Sequence, residues 1–174
     1  MTLRIVTALA LALPVSLGGS PLAAQVISSP EAQQALLASP DPTVAANKRL
    51  VYDMYREIVQ GGRAELAEKY FTPEYIQHNP NIESGRDALV AFIRGSRPAR
   101  AIEPTIKLPL LNIVAERDYV LVISEKPQVD EEGEAYITSW FDFYRIENGK
   151  IAEHWDPALK SSEMIRFDPN TLRQ

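Results

Sequence analysis

The segment Phe141–Asp156 reads FDFYRIENGKIAEHWD and carries the strongest structural signal in the chain. Apolar and polar residues alternate in both halves, which is typical of strands that bury one face. The halves are separated by Asn148-Gly149, a dipeptide that favours the positive φ angles of a two-residue hairpin turn. The segment therefore predicts a β-hairpin in which Glu147 pairs with Lys150.

Strict pairing of this hairpin has consequences for its polar residues. Asp142 would lie opposite Trp155, while alternation would put His154 and Asp156 together on the other face. All four residues can share a pocket only if a bulge shifts the register or the strand end curls. The alternative is that His154 and Asp156 simply face solvent.

Outward from the hairpin, a period of two predicts strands over residues 106–115, 119–126, 135–146 and 150–156. Upstream the apolar period is helical. Asp41 followed by Pro42 predicts the start of a first helix, which Gly61-Gly62 ends. Further helices are predicted over residues 64–70 and 86–94, the second capped by Ser84. Helices followed by antiparallel strands predict an α+β domain with its helices on one face of a curved sheet.

The ends of the chain have a different character. Residues 1–24 have the pattern of a secretory signal peptide: Arg4, an apolar run, and Leu22-Ala23-Ala24 before the predicted cleavage site. The run is shorter than the roughly 20 residues of a membrane-spanning helix, so we expect a periplasmic or secreted protein that is not embedded in the membrane after cleavage. Residues 25–40 are predicted to form a flexible tether, 41–157 the domain and 158–174 a surface tail.

Composition excludes several classes of function. The 174 residues include no cysteine and carry a net charge of −5. Disulfides, thiolate nucleophiles and cysteine-ligated zinc are thereby excluded, and an acidic chain is not expected to bind nucleic acid. The sequence also lacks a nucleophile elbow, a P-loop and a dinucleotide fingerprint. Chemistry is left to histidine, carboxylate and tyrosine side chains.

The chain has two histidines, His78 and His154. Histidine changes charge near neutral pH and suits acid–base catalysis, although either residue can equally be structural or lie on the surface. With Asp142 or Asp156 they would match a two-histidine, one-carboxylate iron site. No local spacing brings such ligands together, so we predict no metal and no cofactor.

Two stretches resemble a known family. Residues 75–80, which read YIQHNP and are followed by Gly85-Arg86, and the hairpin at 141–156 resemble the SnoaL-like branch of the nuclear-transport-factor-two-like superfamily. The resemblance extends over roughly residues 48–156. It implies a cone-shaped curved antiparallel sheet packed against three N-terminal helices, with a pocket at the open end. Since the superfamily includes cyclases, isomerases, dehydratases, hydrolases and non-catalytic binders, it does not define the reaction.

The resemblance also implies roles for single residues. SnoaL-like cyclases use a carboxylate near the end of the last strand as the general base of an aldol closure, and Asp156 matches it. Asp142 matches a polar pocket residue of the preceding strand, which implies a bulge in the hairpin. Tyr55 resembles the tyrosine that holds the enolate oxygen in ketosteroid isomerases. The base of those isomerases falls near His78-Asn79, where this chain has no acid.

Together these features predict acid–base chemistry on a small apolar or carbonyl-containing molecule, with Asp156 as the base and His78 and His154 as its polar partners. An apolar environment favours the protonated form of a carboxyl group, and we expect aromatic residues to provide it: Trp140, Phe141, Phe143 and Trp155. Donors to a developing oxyanion are expected among Tyr55, Tyr75, His78 and His154. The alternatives are a module of the same fold that binds without turnover, and an outer sheet face that forms a homodimer.

Overall fold

A computed structural model describes residues 26–161 of the chain. The predicted signal peptide and most of the predicted C-terminal tail lie outside the described residues. Within the described part, no helix combines the length and the apolar character needed to cross a membrane.

The helices precede most of the sheet. Their bounds are α1 Pro30–Ala35, α2 Pro42–Met54, α3 Ala67–Tyr70 and α4 Arg86–Ser96. Asp41 caps α2 as predicted, because its carboxylate accepts hydrogen bonds from the backbone N–H groups of Thr43 and Val44. The helix continues as a π-helical turn, Tyr55–Gln60, and a 3₁₀ turn, Ala64–Leu66, leads into α3. Gly85, rather than the predicted Ser84, precedes the first residue of α4.

Five strands form one curved, unclosed sheet. Their bounds are β1 Phe71–Gln77, β2 Leu110–Glu116, β3 Tyr119–Val129, β4 Ala135–Glu147 and β5 Lys150–Trp155. The order across the sheet is β1-β5-β4-β3-β2. All neighbours are antiparallel except β1 and β5, which run parallel. Asn148 and Gly149 adopt φ angles of 50° and 72° in the predicted hairpin turn.

Strand β1 was not predicted from the sequence, and it contains Pro73. Proline lacks the N–H that a central strand needs, and β1 avoids this conflict by lying at the edge of the sheet. Its Tyr75-Ile76-Gln77 segment alternates between buried, exposed and half-buried side chains. The consequence is that residues 75, 77 and 79 face one way and residues 76 and 78 face the other.

The core lies between the inner face of the sheet and the helices. Residues of α2 and the following turn pack against inward-facing residues of β2 and β3; they are Val51, Met54, Ile58, Leu110, Ile113, Val120 and Val122. This is the predicted α+β arrangement, with the helices on one side of a curved sheet.

The N-terminal segment is packed against the domain, which corrects the prediction of a flexible tether at residues 25–40. Gln33 of α1 is fully buried and donates hydrogen bonds to the backbone carbonyls of Ile27 and Ile106. The carbonyl of its side chain accepts from the hydroxyl of Tyr52 at 2.8 Å. A buried glutamine must satisfy its amide, and these bonds fix α1 to the core.

Candidate functional site

A cleft of about 760 Å³ lies between the inner face of the sheet and the helices. Much of its wall is apolar, with side chains from the π-helical turn, β1 and α4: Ile58, Val59, Phe71, Leu89, Phe92 and Ile93. The inward-facing ends of β4 and β5 add polar side chains. The cleft therefore combines apolar walls with one polar region.

A β-bulge in the β4–β5 hairpin creates this polar region. Glu147 pairs with Lys150 as predicted, but Arg145 pairs with Glu153, and Ala152 has no partner. Beyond the bulge His154 lies opposite Tyr144 instead of opposite Phe143. The one-residue shift brings the inward-facing side chains of the two strands to the same face, as the family resemblance implied.

Asp142 is the centre of a buried hydrogen-bond network and is 8% exposed. Its Oδ2 accepts from the hydroxyl of Tyr55 at 2.5 Å, and its Oδ1 accepts from Trp140 Nε1 at 3.2 Å. The Nε2 atom of His154 lies 3.1 Å from the same Oδ1. The hydroxyl of Tyr144 in turn donates to that of Tyr55 at 3.3 Å. Three side chains thus satisfy one buried carboxyl group.

His154 is held on both sides of its ring and is 6% exposed. Its Nδ1 lies 2.8 Å from Oε1 of Gln77, opposite the contact of Nε2 with Asp142. The ring stacks on Tyr144 with centroids 4.6 Å apart. Gln77 also donates from Nε2 to the hydroxyl of Tyr75 at 3.0 Å. The orientation of the imidazole is therefore defined by one oxygen on each side of the ring, Gln77 Oε1 and Asp142 Oδ1.

Asp156 follows β5 and lines the same cleft. Its Oδ2 accepts from the side-chain amide of Asn79 at 2.7 Å, and its Oδ1 accepts from the backbone N–H of Ala158 at 2.9 Å. Asp156 is half-buried, in contrast to Asp142. Of the two carboxyl groups, Asp156 is the more exposed.

The tyrosines around the cluster have raised pKa values. Burial raises the pKa of Tyr55 well above its ordinary value, and the adjacent Asp142 raises it further. Burial also raises the pKa of Tyr144 and Tyr75, again with a contribution from Asp142. These hydroxyls consequently keep their protons and remain hydrogen-bond donors through the physiological pH range.

His78 lies outside the cleft, which corrects the expectation that it is a partner of Asp156. Its Nε2 lies 2.8 Å from Oε1 of Glu153, and its ring stacks on Trp155 at 4.8 Å on the outer side of the sheet. The alternation along β1 explains this position, because residue 78 faces away from residues 75 and 77. Asn79 takes the place beside Asp156 that His78 was expected to occupy.

Three of the four aromatic residues expected to surround the carboxylate also face outward. Phe141 and Phe143 are exposed, and Trp155 packs between His78 and Phe143 on the outer face. Only Trp140 lines the cleft. Period two puts residues 141 and 143 opposite to residue 142, so one strand cannot offer all of them to one pocket.

Gln77, Asn79 and Ser124 also line the cleft and were not predicted from the sequence. The first two would have followed from reading YIQHNP with period two from Tyr75. Ser124 is 1% exposed, and its Oγ has no hydrogen-bond partner among residues 26–161. No local pattern marks Ser124, since it continues the inward-facing series of Val120 and Val122.

The cluster also has atoms that can ligate a metal. One ligand atom each from Asp142, His154 and Asp156 lie within 4.8 Å of one another. A cation bound there would have to replace the hydrogen bond between His154 and Asp142. The prediction that the site works without a metal or cofactor stays a prediction.

Similarity to known proteins identifies the family of this chain. The model of the SnoaL-like domain matches residues 51–154, which include Tyr55, Asp142 and His154. The chain belongs to the SnoaL-like domain family. The match ends two residues before Asp156, so the role of that carboxylate rests on its position in the cleft. No curated protein matches the chain at a significant level.

Solved structures of SnoaL-like and related proteins are similar to this chain at low identity. TsrD from Streptomyces laurentii is 23% identical over 68% of this chain and 90% of its own, with a TM-score of 0.43. A SnoaL-like candidate polyketide cyclase from Jannaschia sp. is 14% identical over 69% and 91%, with a TM-score of 0.47. An NTF2-like protein of unknown function from Burkholderia pseudomallei is 19% identical over 70% and 95%, with a TM-score of 0.48.

Proposed function

We propose that this SnoaL-like protein catalyses cofactor-free acid–base chemistry on a small carbonyl compound, of the aldol, cyclase or isomerase type. The observation that carries this proposal is the cluster of Asp142, His154 and Asp156, whose ligand atoms lie within 4.8 Å of one another beside apolar walls. Titratable groups gathered at one end of an apolar cleft are typical of acid–base sites.

Asp156 is the general base in this proposal. Each of its oxygens accepts one hydrogen bond, from Asn79 and from Ala158, and each keeps a further lone pair for a substrate proton. Asp142 already accepts from Tyr55 and Trp140, is hydrogen-bonded to His154, and is more deeply buried. The proton next to the substrate carbonyl therefore passes to Asp156.

Tyr75 is the proposed donor to the enolate oxygen. Its hydroxyl accepts from Gln77 Nε2, which leaves the hydroxyl proton directed elsewhere, and its side chain lines the cleft. Burial raises the pKa of Tyr75, with smaller contributions from Asp142 and Asp156, so the proton is retained. Tyr55, the donor expected from the ketosteroid isomerases, instead donates to Asp142. A preorganised donor of this kind stabilises charge as it develops.

The walls favour an apolar substrate. The volume of about 760 Å³ is in the range typical of small-molecule sites, and most of the lining residues on the helical side are aliphatic or aromatic. A small carbonyl compound with an apolar body would place its polar end against Asp156 and Tyr75. The same walls support the second candidate, a module that binds an apolar molecule without turnover.

The test is exchange of α-protons for deuterium. A panel of small ketones and 1,3-dicarbonyl compounds is incubated with the protein in D₂O, and exchange is followed by ¹H NMR. We expect exchange with at least one compound and a loss of about 100-fold or more with Asp156→Asn, the range of general base catalysis. Asp118→Asn, at an exposed aspartate outside the cleft, is the matched control.

Two results would contradict the catalytic proposal. One is exchange that survives Asp156→Asn at the rate of the unsubstituted protein. The other is no exchange with any compound although the same compounds raise the melting temperature, which would favour the binding module. If Asp118→Asn also lost exchange, the loss in Asp156→Asn would be explained by general destabilisation and not by removal of the base.

Export is a further part of the proposal, based on the signal-peptide pattern of residues 1–24. Expression of the full chain in a bacterium, followed by intact-mass measurement of the periplasmic fraction, should give a protein beginning near Gln25. A product that keeps Met1 and stays in the cytoplasm would contradict it.

A homodimer through the outer sheet face is also proposed. Four rings form a row there, from three strands and the residue after β1, with neighbouring centroids 4.8 to 5.6 Å apart; they are His78, Trp155, Phe143 and Tyr119. Beside the row, Arg145 pairs with both Glu147 and Glu153. An interface about a two-fold axis uses the same patch of both subunits, and exposed rings with both signs of charge give that patch groups that can pair with themselves.

A further inference from the structure

Gln77 lies between the backbone of Asn79 and the ring of His154. We propose that Gln77 is a positioning residue that fixes two protons on the His154–Asp142 pair: one on Nδ1 of His154, and one between Nε2 and Oδ1 of Asp142. The consequence for catalysis rests on the proposed function, whereas the location of the protons does not.

The orientation of the Gln77 amide is determined without reference to the histidine. Its Oε1 lies 3.0 Å from the backbone nitrogen of Asn79, which is a donor and cannot accept. An oxygen must therefore face that N–H, because a flipped amide would bring two donors together. Gln77 Nε2 then points to the hydroxyl of Tyr75 at 3.0 Å.

This orientation fixes the first proton. Oε1 of Gln77 lies 2.8 Å from Nδ1 of His154, and an amide oxygen only accepts. If Nδ1 carried a lone pair, two acceptors would face each other at hydrogen-bond distance in a buried site. Nδ1 must therefore be protonated.

The second proton follows from the other side of the ring. Nε2 lies 3.1 Å from Oδ1 of Asp142, so one of these two atoms has to supply a proton. The pair is either an imidazolium with a carboxylate or a neutral imidazole with a carboxylic acid. In both cases its total charge is zero, and the imidazole has no lone pair available to a substrate.

The groups packed around His154 and Asp142 are compatible with a pair that holds two protons and has no net charge. The π-helical turn contributes Tyr55 and β4 contributes Tyr144, both kept protonated by burial. Beyond them, β1 contributes Tyr75 and the end of β5 contributes Asp156. From β3, Lys126 interacts electrostatically with both carboxyl groups.

A neutral pair explains how two carboxyl groups can lie so close together. Two carboxylates within 4.8 Å of each other would repel each other in a half-buried site. If His154 and Asp142 share two protons, Asp156 is the member of the cluster that carries the negative charge. His154 then cannot act as the base, and Asp156 can.

The test is the ¹⁵N spectrum of the histidine side chains in the full chain at pH 7. Two histidines give two patterns, and a His78→Gln variant identifies the pattern that belongs to His154. We expect a protonated-type shift for Nδ1 of His154. An unprotonated-type shift for that atom would overturn the proposal, whatever the variants show.

Two substitutions at Gln77 separate positioning from packing. Gln77→Met removes the acceptor, so Nδ1 should release its proton to solvent, leaving the imidazole with a single proton on Nε2, next to the Asp142 carboxylate. Gln77→Glu keeps an acceptor at the same place, and Tyr75 can donate to its second oxygen, so the original pattern should remain. An unchanged pattern in Gln77→Met, or the same change in both variants, would contradict the role of Gln77.

Deuterium exchange adds a catalytic readout. We expect kcat/KM to fall by about 10- to 100-fold in Gln77→Met, as for other residues that orient a functional histidine. In Gln77→Glu the Tyr75 hydroxyl would donate to the introduced carboxylate and not to the enolate, so that variant is judged by its ¹⁵N pattern alone. If the His154 pattern is as expected but the unsubstituted protein exchanges no substrate, the proposed function fails and the proton assignment stands.

Discussion

The Nε2 atom of His154 lies 3.1 Å from Oδ1 of Asp142. The two residues are on adjacent strands of one hairpin, and strict pairing from the Asn148-Gly149 turn would put them on opposite faces of the sheet. The unpaired Ala152 brings them together. Because both side chains are buried, each depends on the other to satisfy its polar atoms.

Removal of Asp142 should therefore destabilise the fold. We expect Asp142→Ala to lower the free energy of unfolding by about 3 kcal/mol or more, because His154, Tyr55 and Trp140 would all lose a hydrogen-bond partner. Urea denaturation followed by tryptophan fluorescence measures the effect. Asp118→Ala, at an exposed position, should change it by less than about 0.5 kcal/mol. Similar values for the two variants would show that the network contributes little.

Deletion of Ala152 should remove the bulge. Residues 153–156 would keep their partners on β4, because the deleted residue is the unpaired one: Glu153 would still lie opposite Arg145 and His154 opposite Tyr144. We therefore expect the His154 ¹⁵N pattern described above to survive, with some loss of stability in urea because a buried side chain is removed. Deletion of Glu132, in the exposed turn between β3 and β4, is the control and should be tolerated. Loss of the His154 pattern in the Ala152 deletion but not in the Glu132 deletion would contradict the register assigned to the hairpin.

Stability should fall at alkaline pH. Burial raises the pKa of Tyr55, Tyr75 and Tyr144, so above about pH 10 the unfolded chain loses phenolic protons that the folded chain keeps. The unfolded state then binds fewer protons, and the free energy of unfolding decreases as pH rises. Urea titrations at pH 8 to 11 test this.

Tyr55→Phe tests whether the buried tyrosines cause the loss of stability between pH 8 and pH 11. It should weaken the decline with pH while lowering stability at pH 8 by about 1–3 kcal/mol, because Asp142 and Tyr144 lose a partner. Tyr119→Phe, on the outer face, is the control. An equal effect of the two substitutions on the slope would contradict the assignment to buried tyrosines.

Ser124 should be replaceable without loss of stability. Its buried Oγ has no partner among the described residues, and an unsatisfied buried hydroxyl costs about 1–3 kcal/mol. We therefore expect Ser124→Ala to leave the melting temperature unchanged or to raise it. Ser29→Ala is an informative contrast, because Ser29 caps α1 and its loss should be destabilising. A marked decrease with Ser124→Ala would indicate that the hydroxyl has a partner such as an ordered water.

Phe143 should be important for self-association. It lies in the middle of the outer aromatic row and is 37% exposed, so Phe143→Glu would place a charge in the proposed dimer interface. Sedimentation velocity should show a dimer for the unsubstituted chain and a monomer for the variant. Ile137→Glu, at an exposed position on the same strand but away from the row, should leave the dimer intact. A monomer before any substitution would contradict the dimer.

Much of the fold follows from local pattern. The α2 cap at Asp41, the hairpin at Asn148-Gly149 and the long strands of the meander were predicted because caps, turns and alternation act over a few residues. Strand β1 was missed since its proline is acceptable only at a sheet edge, and edge position is a property of the whole sheet. The burial of Gln33 was missed for the same kind of reason, because its partners Tyr52 and Ile106 are distant in sequence.

For the site, the sequence by itself determined which residue types were available: two histidines, several carboxylates, tyrosines and no cysteine. Only the tertiary structure decided which of them meet. Ile151 and Ala152 are both buried, at 0% and 5% exposure, and accommodating two successive side chains in the core shifts the hairpin by one residue. The side-chain period of a strand is two, so that shift moved His154 to the face of Asp142, while the alternation of β1 kept His78 outside.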